Sequence, residues 1–455
     1  MHTVRAGSIF PGVNLTCIHT DTFKIGCLSV NLMTALKRGI ASSNALLPRV
    51  LRRGSTGLPD MERISAALDE LYGARIEPVV RKRGELHCIG LYADFPDDRF
   101  IPGGGSVLEK TASLAGGILL SPIMRDNLLR ADYIESEKKN LIDDIRAAIN
   151  DKRGYAIDRL LEEMCANEAY GVNRLGGENE ARGITKESLT ARYYELINNS
   201  PVELFYCGSA SPERVESALR SALQDLPGRA DIKKPETEIV LYPPDGAPKR
   251  LTETLDVSQG KLTAGFRLGQ AMKGSPDYPA LMVFNAVYGS GATSKLFVNM
   301  REKLALCYYA GSMIDKHKGI MIVSSGVDPA NFEIALDELS AQLLCVKNGD
   351  VSDRELLSAK LSVMTAVKSA MDSPAGLLEF YFDSSISAAP YDPDKLCDMV
   401  EAVTLDRIVE TASGIELDTV YCLKNYESED TCPPCERGVA RSAGGIRETE
   451  AGDNE

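Results

Sequence analysis

The chain of 455 residues lacks a long apolar run, an excess of basic charge and a cluster of histidines. No stretch approaches the ~18 consecutive apolar residues that a membrane-spanning helix needs. Lys and Arg number 51 against 65 Asp and Glu, which gives a formal net charge of -14. Such a surface repels nucleic acid unless a local basic patch overcomes it, and the sequence has no such patch. We therefore expect neither a membrane nor a nucleic acid as a partner.

The cysteines also lack a pattern. Eleven cysteines, an odd number without framework spacing, are typical of free thiols in a reducing compartment. Residues 1–11 contain no apolar run of the kind found in secretion signals, so we expect a cytoplasmic protein. Cys432 and Cys435 have a CxxC spacing, but even with Cys422 they fall short of the four ligands of a structural zinc site. A metal-binding tail and an incidental pair both remain open.

The composition divides the chain into two large blocks. Hydrophobic residues make up 44% and charged residues 25% of the chain, the balance of a globular protein. Residues 227–250 are rich in Pro and Gly, and residues 426–455 are acidic and small, without apolar periodicity. We predict a first half at 1–226, a linker at 227–250, a second half at 251–425 and a flexible tail at 426–455.

The two blocks repeat the same order of elements. Hydrophobic periodicity predicts strand, helix, helix, strand, strand in each block. In the first block these are 25–33, 46–53, 61–71, 75–80 and 86–92. In the second they are 262–268, 278–288, 294–303, 306–314 and 319–327. Paired strands with short turns and helices between them indicate an α+β fold with a largely antiparallel sheet, present twice.

Two segments carry a resemblance to a known family. Residues 294–309, SKLFVNMREKLALCYY, and residues 175–189, from Leu-Gly-Gly to Ile-Thr-Lys-Glu-Ser-Leu, resemble the M16 (insulinase and processing peptidase) zinc peptidases. Over residues 1–425 the chain is similar to the small bacterial members, which implies two homologous halves arranged as a clamshell. The Ser-Lys-Leu-Phe-Val-Asn and Lys-Gly-Ile-Met patterns at 294–299 and 318–321 are similar to the YfmF-type subgroup.

The zinc motif of that family is missing. Its His-x-x-Glu-His turn places two imidazole ligands and a general base on one helix face. The matching turn reads Ala45, Leu46, Leu47, Pro48, Arg49. Ala45 has no lone pair, Pro48 has no carboxylate, and Arg49 is a fixed cation that repels zinc. The four histidines, at positions 2, 19, 87 and 317, are not within helical reach of one another, so we expect no metal in this chain.

Two carboxylates of the family's metal site have counterparts here. Glu137 and Asp144 lie seven residues apart, which puts them on one helix face. The resemblance implies that Asp144 occupies the place of the ligand Glu and that Glu137 occupies the place of a supporting carboxylate. One alternative is a solvated, ion-paired surface helix. Another is an unconventional metal site made of Glu137, Asp144 and a histidine brought close by the fold.

An Arg and a Tyr seven residues apart in the second half complete the resemblance. In the family this pair contacts the substrate and the oxyanion, which implies the same roles for Arg301 and Tyr308. Alternatively, Arg301 caps its helix and Tyr308 packs in a sheet.

The resemblance also implies a function and a partner. It indicates a non-catalytic subunit of a heterodimeric M16-like zinc metallopeptidase, whose second chain bears HxxEH and the zinc and whose substrate is a peptide or small protein. Processing of peptides and modification of elongation factor P, to which the YfmF-type subgroup is linked, are the expected settings. A catalytically inert structural or peptide-binding protein of the same fold is the alternative.

Overall fold

The structure is a computed structural model that describes residues 2–228, 232–270, 275–387 and 392–426. Of the predicted tail, only Tyr426 belongs to this part of the chain, and the Cys432 and Cys435 pair lies outside it. The described helices include none that is long and apolar enough to cross a membrane.

The strands of the first half form one six-stranded sheet and a short hairpin. They are β1 (Thr3–Phe10), β2 (Val13–His19), β3 (Ile25–Ala35), β4 (Arg75–Arg83), β5 (Leu86–Pro96), the hairpin β6 (Met124–Arg125) and β7 (Leu128–Leu129), and β8 (Val202–Gly208). The order in the sheet is β1, β2, β8, β3, β5, β4. The β2–β8 pair is parallel, and all the other pairs are antiparallel.

The second half repeats this sheet. Its strands are β9 (Lys249–Thr254), β10 (Lys261–Arg267), β11 (Cys307–Asp315), β12 (Ile320–Val327) and β13 (Glu416–Lys424). The order is β11, β12, β10, β13, β9, and only the β9–β13 pair, the counterpart of β2–β8, is parallel. This is the order of the first sheet without β1, so the predicted duplicated α+β fold with mostly antiparallel sheets is confirmed.

Fourteen α-helices and one π-helix accompany the sheets in the described residues. The helices are α1 (Ala41–Leu51), α2 (Met61–Asp69), α3 (Val107–Leu120), α4 (Ala131–Ala147), α5 (Lys152–Met164), α6 (Glu178–Arg182), α7 (Lys186–Asn199), α8 (Pro212–Ala222), α9 (Tyr278–Tyr288), the π-helix (Phe297–Lys303), α10 (Phe332–Lys347), α11 (Asp353–Ala370), α12 (Pro374–Ser387), α13 (Pro393–Glu401) and α14 (Leu405–Ser413). Local signals define several starts. Ser352 and Glu355 form a capping box at α11.

Helices pack on both faces of each sheet. On one face they belong to the same half of the chain, and on the other face a helix comes from the other half. Successive residues of β12 point to opposite faces: Val323 joins the core under the helices of its own half, whereas Ile322 packs with Leu160 of α5 from the first half. Likewise Phe205 of β8 packs against Phe382 of α12, with ring centroids 5.2 Å apart. The two halves therefore exchange one helix each.

A buried ionic network also joins the halves. The Lys318 ammonium group, fully buried, lies 2.6 Å from a carboxylate oxygen of Glu85 and 2.6 Å from one of Glu168. Arg267 pairs with Glu168 at 2.6 Å and with Asp418 at 2.8 Å. Because Glu85 and Glu168 belong to the first half and the other three residues to the second, buried ion pairs connect the two halves.

Candidate functional site

Helices α1 and α4 pack against each other and carry the residues that match the metal motif. Arg49 donates from Nη1 to Asp144 Oδ2 at 2.7 Å, and Arg53 donates from Nη1 to Glu137 Oε1 at 3.1 Å. Arg49 on α1 and Arg53, two residues beyond the end of α1, thus face residues seven apart on α4, in reverse order. The helices run antiparallel, and two guanidinium groups lie between them and neutralise both carboxylates.

The two ion pairs differ in burial. The side chain of Asp144 is 55% exposed, whereas that of Glu137 is 12% exposed and that of its partner Arg53 is 29% exposed. The interpretation of α4 as a solvated, ion-paired surface describes Glu135, which bonds Lys138 three residues on at 2.6 Å. It does not describe Glu137, whose ion-pair partner Arg53 comes from the segment that follows α1.

The residues present do not fit a zinc ion. Ala45 and Pro48 are buried in the apolar core of the first half, and neither supplies an electron pair for a metal. At the third motif position, the guanidinium of Arg49 already holds Asp144. A fixed cation at bonding distance from the carboxylate opposes a second cation there.

His87 contacts Asn44, the residue just before the first motif position. It is fully buried on β5, and Asn44 Nδ2 donates to its Nδ1 at 3.0 Å. Asn44 in turn accepts from Arg192 Nε at 2.7 Å. Burial lowers the pKa of His87 to about 4, so the imidazole is neutral. Its bonded partner is an amide rather than Glu137 or Asp144, and the described residues contain no group of three or more His, Cys, Asp or Glu that could hold a metal ion.

A carboxylate from another helix caps the N-terminus of α1. Glu180 accepts from the backbone N–H of Ser42 at 2.6 Å and from that of Gly39 at 3.1 Å, a favourable place for a negative charge. The segment that carried the second part of the resemblance passes beside it. Gly176 has φ +70, and a Cβ there would lie 2.2 Å from Ser42 Oγ, so only glycine fits.

A cavity of about 440 Å³ opens between α1, α4 and β4. Its charged lining consists of four arginines and three carboxylates: Arg49, Arg52, Arg53, Arg174, Glu77, Glu137 and Asp144. Met61, Pro78, Val80 and Leu175 supply the apolar part. Arg301 and Tyr308 do not line it.

Arg301 and Tyr308 lie close to each other. Arg301 is on the π-helix, with its guanidinium 4.7 Å from the Phe297 ring and 5.8 Å from the Tyr308 ring. Its ion pair with Glu302 is loose, at 3.5 Å. Tyr308 lies at the start of β11 and is 76% exposed, so it does not pack within the sheet. A cation and a phenol are therefore presented together at the surface.

The backbone that holds this pair is unusual. The sequence predicts an ordinary helix over 294–303, but residues 297–303 form a π-helix. The Asn299 side chain donates to Lys295 O at 2.9 Å. The backbone N–H of Leu304 donates to the carbonyl of Asn299, five residues earlier, the spacing of a π-helix. Ala305 follows with φ +50. Widened turns and positive φ values in non-glycine residues concentrate at functional sites.

The structure thus forms two clusters from the residues proposed from the sequence. One contains Arg49, Glu137 and Asp144, and the other contains Arg301 and Tyr308. Across the described residues, no hydrogen bond, ion pair or ring contact joins the two clusters. The first cluster belongs to the first half of the chain, and the second cluster belongs to the second half.

Sequence reasoning missed three arginines of the cavity: Arg52, Arg53 and Arg174. Arg53 could have been found, because it follows Arg49 by one helical turn and so shares its face. Arg52 and Arg174 carried no such signal, since Arg174 reaches the cavity from a loop more than a hundred residues away in the chain.

Comparisons with known proteins find relatives over most of the chain. The family model described as the Peptidase M16 inactive domain matches residues 183–363. A Bacillus subtilis (strain 168) protein named Probable inactive metalloprotease YmfF is 31% identical over 421 residues, which cover 91% of this chain and 96% of the relative. The subgroup that the sequence resembles is therefore named after YmfF, not YfmF.

Solved structures share the whole fold. A conserved protein from Enterococcus faecalis V583 has a TM-score of 0.85 and 25% sequence identity, covering 94% of this chain and 100% of that chain. A peptidase M16 inactive domain from Pseudomonas fluorescens has a TM-score of 0.74 and 16% identity, with the same coverage. The first sheet, the second sheet and the exchanged helices therefore form one shared architecture.

Proposed function

The chain belongs to the peptidase M16 family, and we propose that it is the non-catalytic subunit of a heterodimeric M16-like zinc metallopeptidase. The partner in this proposal is a second M16-like chain that bears HxxEH and the zinc. Arg301 and Tyr308 act in trans: they contact a peptide or small-protein substrate and the oxyanion that forms at the partner's metal. No cofactor is assigned to the present chain.

The observation that carries the proposal is the asymmetry between the two clusters. The Arg49–Asp144 ion pair occupies the degenerate motif, and the residues at the three motif positions supply neither a zinc ligand nor a general base. The second half keeps an exposed guanidinium and an exposed phenol on a strained backbone. A guanidinium binds carbonyl or carboxylate oxygens with fixed donors, and a phenol donates to a developing oxyanion. Both roles need a metal site that another chain provides.

The cellular setting follows from the thiols and from the resemblance. All nine described cysteines are free, and seven of them are buried, which supports a reducing, cytoplasmic location. Peptide processing or modification of elongation factor P is the proposed process, and for the latter the support is the similarity to YmfF-type proteins.

The test is reconstitution. The purified chain is mixed with an M16 chain that bears HxxEH, and cleavage of a quenched fluorescent peptide is measured. Cleavage is expected only in the mixture, and Arg301→Ala is expected to lower turnover about a hundredfold while sedimentation shows unchanged association. Arg354→Ala is the matched control, because Arg354 is an exposed arginine of the same half.

Two results would contradict the proposal. One is cleavage by the isolated chain, which would indicate a metal site of its own. The other is full activity of the Arg301→Ala mixture, which would leave the chain as an inert scaffold or peptide-binding protein of the M16 fold.

A further inference from the structure

The cavity beside the degenerate motif holds more positive than negative charge. Four guanidinium groups face three carboxylates. Two of the cations are already paired, Arg49 with Asp144 and Arg53 with Glu137. The charges left over are therefore those of two further arginines and one acid.

Arg52 is the first of these arginines. Its Nε donates to Ile76 O at 2.6 Å, which fixes the guanidinium in place. Its Nη1 is buried and has no hydrogen-bond partner among the described residues. Burial lowers the pKa of Arg52, and the nearby charge of Glu77 opposes that effect. Arg52 lines the cavity, and its guanidinium forms no ion pair among the described residues.

Arg174 is the second. It lies in the loop before Leu175, its side chain is exposed, and within the described part of the chain it has no salt bridge and no side-chain hydrogen bond. Glu77, the third acid of the lining, is exposed and likewise forms no salt bridge there. Arg174 is thus free to bind an incoming group at the mouth of the cavity.

We propose that this cavity binds a carboxylate carried by a peptide, with Arg52 and Arg174 as its cationic ligands. The planar fork of a guanidinium matches a carboxylate. The ion pairs of Glu137 and Asp144 remove the repulsion that these acids would otherwise exert on an anion. The volume of about 440 Å³ is that of a ligand site, and Met61, Pro78 and Val80 offer apolar contact to a peptide rather than to a bare inorganic ion.

The test uses the full chain alone, without any partner chain. The probes are N-acetylated penta-alanine with a free C-terminal carboxylate, the same peptide with a C-terminal amide, and inorganic phosphate. Ligand-observed NMR titrations give the dissociation constants. The free acid is expected to bind about tenfold tighter than the amide, the effect of one charge-assisted interaction.

Variants assign the binding to the cavity. Arg174→Ala is expected to abolish the tenfold preference for the free acid, and Arg52→Gln is expected to reduce it. Arg125→Ala, which removes an exposed arginine of the β6–β7 hairpin outside the cavity, keeps it. The Arg174 variant tests the proposal even if the Arg52 variant folds poorly, because Arg174 is exposed.

The inference fails if acid and amide bind equally, or if Arg174→Ala behaves like Arg125→Ala. Phosphate that binds tighter than the free-acid peptide would assign the cavity to a phosphate ligand and would also overturn it. Since the isolated chain is used, failure here leaves the reconstitution result untouched, and failure of reconstitution leaves this binding result untouched.

Discussion

His87 makes the stability of this protein depend on pH in a defined window. The imidazole is fully buried, its Nδ1 accepts from Asn44, and its Nε2 has no hydrogen-bond partner among the described residues. Desolvation disfavours the charged ring and lowers the pKa of His87 from 6.5 to about 4. Protonation would place an uncompensated charge beside α1.

The sign follows from proton uptake. Between about pH 4 and pH 6.5 the unfolded chain binds a proton at this ring and the folded chain does not, so the free energy of unfolding rises with pH in that window. Above pH 6.5 both states are neutral and the contribution is constant. The difference in pKa corresponds to about 3 kcal/mol, which is lost as the pH falls from about 6.5 to about 4.

Urea unfolding of the wild type and of His87→Gln, followed from about pH 4 to about pH 7.5, measures this effect. At neutral pH the imidazole is uncharged in both states, so the difference in the free energy of unfolding between the two proteins reports packing alone. As the pH falls, the wild type is expected to lose about 3 kcal/mol more than the variant. Parallel curves for the two proteins would refute the reasoning and would mean that the folded protein accommodates the imidazolium.

Three further substitutions test burial and backbone. Lys318→Met leaves the buried Glu85 carboxylate without its cation. Urea unfolding is expected to show a free energy of unfolding that is lower by about 3–5 kcal/mol. A loss below about 1 kcal/mol would mean that the buried ion pair does not stabilise the fold. Gly176 has φ +70 and lies against Ser42, so Gly176→Ala is expected to lower the free energy of unfolding by more than about 1 kcal/mol. An unchanged midpoint of urea unfolding would argue against that contact. Tyr308→Ala is expected to stay within about 0.5 kcal/mol, because the ring is exposed; a large loss would show that it packs.

Much of the fold was accessible from hydrophobic periodicity, because that signal is local. The helix over 278–288 has the bounds predicted for it, and the strand predicted over 25–33 extends two residues further, to Ala35. The two strands β1 and β2 were missed, since β1 is exposed along most of its length and so has no apolar alternation. The exchange of α5 and α12 was not predicted, because an amphipathic helix does not specify which sheet it covers.

The site was predictable in its residues but not in its contacts. The loss of the metal ligands at Ala45, Pro48 and Arg49 is legible in the sequence. The pairing of Arg49 with Asp144 depends on the antiparallel packing of α1 on α4, which residues about a hundred positions apart do not reveal. The π-helix around Arg301 was also not predicted, since short apolar periodicity does not distinguish it from an α-helix.

We propose that this chain does not hold a catalytic metal by itself and works with a chain that does. The most direct measurement is elemental analysis of zinc in the isolated protein after dialysis against zinc, repeated on its complex with an HxxEH-bearing M16 chain. We predict zinc only in the complex, at the level that the partner alone carries. Stoichiometric zinc held tightly by the isolated chain would contradict it.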